Sequence, residues 1–459
     1  MNVPAYPPST TGLARVAPGL VGFLHFFTLG AALPLLPLYL TRTLGYGWTL
    51  TGVILTTIPF SLLIGQIFVR TLSGLGIDVR LGLAMSHLLA AGVAMSAGIW
   101  LEPSAGVSFN WLKVFGLIGL YFALLAPSMI WIARVGDAST TAGQSVIRSW
   151  RVWGAAGFVA PAWLCESALT RFPNLVSAVE SHEILFLVAG WAGLSTAFAA
   201  ILLPEIAPES VAAPETLAGD GAGAGDSSGD VASSGLGMRL AVAMLLIVVV
   251  QRCHYMWNAP FFQSVLDQHD VGRQFVHRLT VADQVFELLG LFLLGTGVVT
   301  LGTRLMLVTG TLAWFGRSVL LGWMAQTPVS GPIAVASLFA AQALQGVAIV
   351  TFFGTLGVIL RLDLGVAGCR RQIMLASVCG IFGILIAGFV AEALQSGGPT
   401  SILYDLRIVM GVTDRGVLFL EPWPNGWSGV WLFSAVPSLL AAVLVSLSKP
   451  SSVSRERLP

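Results

Sequence analysis

The chain has 459 residues, 56% of them hydrophobic and only 10% charged, with 23 basic side chains against 22 acidic and a mean hydropathy of +0.84. Soluble domains carry about 25% charged residues, so this chain lacks the charge to solvate the two or three soluble domains its length would allow. The near-neutral balance gives no footing for a nucleic-acid partner. Cys165, Cys253, Cys369 and Cys379 have neither metal-ligand spacing nor a disulfide framework and read as small apolar packing residues; no metal and no cofactor is expected.

The first fifteen residues are polar and proline-bearing, and the apolar run that follows has spanning length rather than signal-peptide length. Crossing a bilayer core takes about 20 mostly apolar residues at a rise of about 1.5 Å. Twelve segments qualify, near 16–40, 47–69, 81–101, 111–134, 145–169, 183–204, 238–262, 279–300, 303–325, 332–360, 372–396 and 427–448. Between the sixth and seventh lies a stretch rich in Ala, Gly, Ser and Asp, including GDGAGAGDSSGD at 219–230, which cannot bury enough apolar surface to order itself. These features predict an all-α membrane protein of twelve transmembrane helices in two six-helix bundles. The expected units are an N-terminal bundle (1–204), a flexible cytoplasmic linker (205–237), a C-terminal bundle (238–448) and a tail (449–459). A second polar insertion falls near 397–426. Lysine and arginine divide about 13 to 7 between the two sides when the N-terminus is placed inside, so both termini and the linker are expected in the cytoplasm and the chain in the inner (cell) membrane.

Three arginines interrupt apolar helices: Arg151, Arg252 and Arg317. Each costs about 2.5–3.5 kcal/mol at a helix centre, so each should face the bundle interior with a partner or a function. The acidic candidates are Glu287, Asp283, Glu166 and Glu392. With the eighth helix entering near Leu279, Glu287 lies about 12 Å deep. Asp283 is a turn shallower, and Glu166 and Glu392 sit near the outer ends of their helices. Gln284 and Glu287 share a face as Gln284-x-x-Glu287. On the fifth helix Arg151, Ala155 and Phe158 share a face, with Gly154 and Gly157 permitting close approach. On the seventh, Arg252, Tyr255, Met256 and Ala259 do so, with His254 and Asn258 nearby. Structural alternatives stand beside each. Glu287 could form an ion pair with Arg252 or Arg317, Arg151 could snorkel to the interface, Gln284 could make a helix–helix amide contact and Phe158 could pack. Arg317 reads as the member of a structural ion pair, and His25 and His254 as hydrogen-bonded helix residues.

Two six-helix halves joined by a linker resemble the major facilitator superfamily. Within it, Arg151-Val152-Trp153-Gly154-Ala155-Ala156-Gly157-Phe158 resembles the R-x-W-G-x-x-G-F signature of bacterial nucleoside:proton symporters. Gln284-x-x-Glu287 resembles that family's eighth-helix Q-x-x-E. Trp314-Phe315-Gly316-Arg317 is similar to its ninth-helix W-x-x-R, and Phe23-Leu24-His25-Phe26-Phe27 to its first-helix opening. The resemblance implies nucleoside contacts from Arg151, Phe158, Gln284 and Glu287, with the fifth and eighth helices meeting between the halves. The chain departs from the family at Ala155 (threonine there), at Arg252 and Tyr255 (Gln and Asn there) and at Val350-Thr351 (Phe-Asp there). The family's acidic residue between the second and third helices is absent from 69–74. Sugar and aromatic-acid proton symporters carry related R-x-W-G motifs.

The function expected is therefore a secondary active transporter, monomeric in the lipid bilayer, that imports nucleosides with protons by alternating access. Glu287 is the expected proton site; Arg151, Phe158, Gln284, Glu287, Arg252 and Tyr255 are the expected substrate residues. The alternatives are a symporter of a sugar or aromatic acid, and a sensor that binds a small solute without moving it. The scattered histidines supply no catalytic constellation, so an enzyme is not expected.

Overall fold

A computed structural model of the chain describes residues 12–101, 111–139, 150–171, 184–203, 238–269, 274–327, 331–395 and 426–448. The linker, the 397–426 insertion apart from its last residue, the tail and the first eleven residues lie outside these. All regular structure among the described residues is helical. We number the helices α1 (Gly12–Ala32), α2 (Trp48–Leu55, continued by Thr57–Gly74), α3 (Val79–Trp100), α4 (Trp111–Ser139), α5 (Trp150–Arg171) and α6 (Ile184–Ile201). There follow α7 (Met238–Asp267), α8 (Gln274–Leu301), α9 (Thr303–Gln326), α10 (Gly331–Ala348), α11 (Thr355–Gln395) and α12 (Gly426–Ser446). Nine spans among the described residues are long and apolar enough to cross a membrane, and two shorter apolar stretches, Val152–Leu164 and Leu185–Ile201, lie in α5 and α6.

Packing sorts the helices into two groups with one pattern. In the first, α1 packs on α5 and α6, α2 on α4, and α3 on α4 and α6. Shifted by six, the second repeats it: α7 on α11 and α12, α8 on α10, and α9 on α10 and α12. Across the groups the main crossings are α2 with α11 and α5 with α8, which a two-fold exchange of the groups would interchange. That is the construction of parallel repeats about an axis along the membrane normal. Glycines set the tightest crossings. A side chain at Gly30 would run into the backbone of Phe158, one at Gly157 into the backbone of Phe23, and Gly52 meets Gly388 where α2 crosses α11.

Two stretches depart from the sequence expectation. Helix α1 does not stop near residue 40. It passes through a 3₁₀ turn at Leu33–Leu35 and a short helical stretch, Leu36–Leu38, into a π turn at Tyr39–Thr43. Pro34 and Pro37 are the cause, since neither has an N–H to continue the α-helical ladder. At α10 a π turn, Ile349–Gly354, leads into α11, whose backbone is helical without a break from Thr355 to Gln395. The sequence reading placed a connection at 361–371, but Arg361-Leu-Asp-Leu-Gly-Val-Ala-Gly-Cys-Arg-Arg371 contains no proline to end a helix.

Candidate transport site between the helix groups

Buried polar side chains in the second group form one connected network. Arg317 on α9 is fully buried. Its guanidinium donates to His254 Nδ1 (2.7 Å), Asn258 Oδ1 (2.6 Å), Gln342 Oε1 (3.1 Å) and the Ala341 carbonyl (3.1 Å). A guanidinium cannot accept, so His254 Nδ1 carries the lone pair and its Nε2–H faces Ser318 (3.1 Å) and Ser434 (3.0 Å). From Asn258 the chain of donors continues to Gln345 Oε1 (3.4 Å), and Gln345 Nε2 donates to Asp283 Oδ2 (2.7 Å). Every bond from Arg317 through Asn258 and Gln345 to Asp283 points the same way, so the guanidinium and the carboxylate compensate each other through two amides.

This corrects the reading of Arg317 as half of a direct ion pair. Among the described residues the ion pair within 4 Å is Arg80 with Asp78 (2.6 Å), near one end of the bundle. Arg317 is solvated instead by amides and an imidazole, which meet its fixed fork geometry without the cost of desolvating a carboxylate against it. Asp283 is buried, whereas Glu287 one turn on is half-buried. His25 and His254 are hydrogen-bonded helix residues as expected: His25 Nδ1 lies 3.0 Å from His87 Nε2 inside the first group.

The two groups are latched at the end where α1 leads into α2. Pro34 cannot donate to the Gly30 carbonyl, nor Pro37 to that of Leu33, so neither carbonyl keeps its α-helical bond, although Leu33 O accepts a 3₁₀ bond from the Leu36 N–H. Each also accepts from a side chain of the other group: Gly30 O from His277 Nε2 (3.2 Å) and Leu33 O from the Tyr255 hydroxyl (3.0 Å). At the same end Glu392 on α11 accepts from the backbone N–H of Trp48 (2.6 Å) and of Thr49 (3.4 Å) at the start of α2. Trp48 also meets Trp427 edge-on, ring centres 5.5 Å apart. A carboxylate at a helix N-terminus satisfies otherwise orphaned donors. One neutral hydrogen bond is worth about 0.5–1.5 kcal/mol. Tyr255→Phe should therefore raise the fraction of molecules open at this end roughly two- to tenfold, read as faster alkylation of a cysteine placed at Leu33 (Leu33→Cys). An unchanged rate would show that this bond is not part of the closure.

The residues singled out from sequence lie at four places. Arg151 is in the first turn of α5, and its side chain lies outside the described residues. Phe158 is half-buried in the α1–α5 crossing, its backbone against Gly30. Gln284 lines an open, almost wholly apolar groove of about 480 Å³ between α1, α5 and α8, with Phe23, Ala155, Val159 and the exposed Trp163, Leu164 and Val285 among its walls. Glu287 follows Gln284 on α8 beside Gly346 of α10, where a side chain would strike the α8 backbone. On the groove's wall the Arg278 guanidinium stacks on Trp163, 4.2 Å from its ring centre. Arg252 and Tyr255 lie on the α7 face toward the other group. Tyr255 is bonded to α1 as described, and Arg252 Nε reaches the α11–α2 junction, near Gly380 and Pro59. Sequence reasoning passed over Gln342 and Gln345, whose i, i+3 spacing on α10 was the available signal.

Neither a family model nor a curated protein sequence matches the chain. Among solved structures it is similar to a point variant of the nucleoside transporter NupG, with a TM-score of 0.69 at 17% identity over 95% of this chain and 100% of that one. NupG itself gives 0.66 at 16% identity over 96% and 100%. A bacterial homologue of the human lysosomal transporter Spinster, in an inward-facing and occupied conformation, gives 0.61 at 14% identity over 97% and 96%. At these identities the likeness is one of fold: the chain shares the fold of these transporters.

Proposed function

We propose that the chain is a secondary active transporter that crosses the inner membrane with twelve helices and, as a monomer, imports nucleosides together with protons. The N-terminal bundle (1–204) and the C-terminal bundle (238–448) rock about a central site, joined by a cytoplasmic linker (205–237). The observation that carries the reading is the likeness of fold to NupG over 95% of this chain and all of that one. It is supported by the placement of Gln284 on an open groove between α1, α5 and α8, on the helix that carries Glu287. With the cytoplasm on the side of both termini, the latched end is the outer gate and the conformation opens inward.

In this mechanism Gln284 hydrogen-bonds the base or sugar, Phe158 stacks on it and Arg151 donates to its ring acceptors. Arg252 stands at the α7 approach, and Tyr255 exchanges the Leu33 carbonyl for solvent or solute when the outer gate opens. Glu287 carries the proton. One charge moving down 100 mV supplies about 2.3 kcal/mol, enough for roughly 40–50-fold accumulation. Labelled-uridine uptake into proteoliposomes under an inward proton gradient tests the substrate class. Accumulation reversed by unlabelled nucleosides is the expected result. Uptake blocked by sugars or aromatic acids but not by nucleosides would replace the nucleoside with those solutes.

A further inference from the structure

Of the two membrane arginines whose side chains are described, Arg317 has its charge compensated through Asn258 and Gln345 by Asp283. Arg252 does not. It lies fourteen residues into the 30-residue α7, about 21 Å along the helix and so close to mid-membrane. Among the described residues no ion pair and no hydrogen bond engages its guanidinium, and its Nε is buried without a partner. Among the described residues the elements around it carry no acid that could serve. The α2 sequence, Trp48–Gly74, holds no Asp or Glu. On α7 the acid is Asp267 at the far end, which accepts from Gln263 (2.6 Å). On α11, Glu392 lies nine residues beyond Gly383, about 13 Å away, and accepts from the α2 N-terminus. Glu287 makes no ion pair with Arg252.

An uncompensated guanidinium at that depth is expensive to keep, and space has been left for it. Gly380 and Gly383 face Arg252 from α11, with Nε 3.2 Å from a side-chain position at Gly380. Pro59 closes the junction from α2, so the group sits where the two helix groups cross. Tyr255, one turn along, is itself bonded across that boundary. A planar five-donor fork matched to carboxylate and phosphate, between bodies that move relative to each other, is a receptor for an anion that comes and goes.

We infer that Arg252 binds an acidic group, a carboxylate or phosphate, carried by the transported solute. This rests on the transporter reading but departs from its nucleoside substrate, since a nucleoside carries neither group, and points to ring-containing solutes that bear an acid. The acid arrives with the solute and leaves with it, so no resident counter-charge is needed.

The test is the melting temperature of purified wild type and Arg252→Gln, each with uridine, uridine monophosphate, benzoate or inorganic phosphate. The expected result is that an organic acid stabilises the wild type and binds Arg252→Gln at least tenfold more weakly, since charge-assisted bonds are lost. Without ligand, Arg252→Gln should melt no lower than the wild type, because it removes a charge that the protein leaves uncompensated. A marked fall in the ligand-free melting temperature would make Arg252 a structural residue and overturn the inference. So would organic acids stabilising both forms equally, or inorganic phosphate stabilising where no organic acid does, which would assign the site to a separate anion. Uridine binding without any preference for acids would sink this inference and leave the nucleoside reading standing. Acid binding without uridine binding would do the reverse, and binding of neither would remove both.

Discussion

Replacing Arg317 with leucine is expected to destabilise the folded protein by more than about 3 kcal/mol, the largest loss at any single polar position. Four buried acceptors, on His254, Asn258, Gln342 and Ala341, would lose their donor together. A buried group left unsatisfied costs about 1–3 kcal/mol, and all four residues are buried. Asp283 would also lose its compensating charge. Arg317→Lys should recover part of the loss, because an ammonium keeps the charge but cannot reach the imidazole, two amides and a carbonyl at once. Unfolding in graded denaturant checks both. Equal stability of Arg317→Leu and wild type would mean that the network is not what holds α7, α9 and α10 together.

The second large effect is expected at the α1–α5 crossing. Gly157→Ala puts a methyl group into the Phe23 carbonyl, and Gly30→Ala puts one into that of Phe158. Backbone, unlike a flexible side chain, can yield only if a helix moves, and overpacking a close-packed site costs about 1–3 kcal/mol. Two such sites on one crossing should cost more than either alone, and the displacement carries Phe158 with it. The double variant should lose solute binding before it loses fold, seen as a binding constant that worsens at least tenfold while the helical circular-dichroism signal persists. Unaltered binding by a folded double variant would remove Phe158 from the site.

Much of this was legible from composition and hydropathy, because a chain with 10% charged residues has only the bilayer to fold in. The helix bounds were less so: α8 begins at Gln274, five residues before the expected start at Leu279. Gln342 and Gln345 escaped notice because neutral amides in an apolar helix do not register as a cost in a charge count. Pro34 and Pro37 could be read as breaks in α1, but which side chains would claim the released carbonyls is a matter of tertiary contact, and Tyr255 and His277 lie more than 200 residues away. Arg252 and Arg317 look alike in sequence, each a basic residue in an apolar helix. What distinguishes them is the amide relay that one has and the other lacks.

Proton coupling is tested most directly by a pH recording from lightly buffered proteoliposomes when uridine is added outside. Proton-coupled import predicts that the medium turns alkaline as protons enter with the solute, and that Glu287→Gln abolishes the signal while uridine still equilibrates. Uridine entering wild-type vesicles with no movement of protons, or a proton signal that survives Glu287→Gln unchanged, would contradict it.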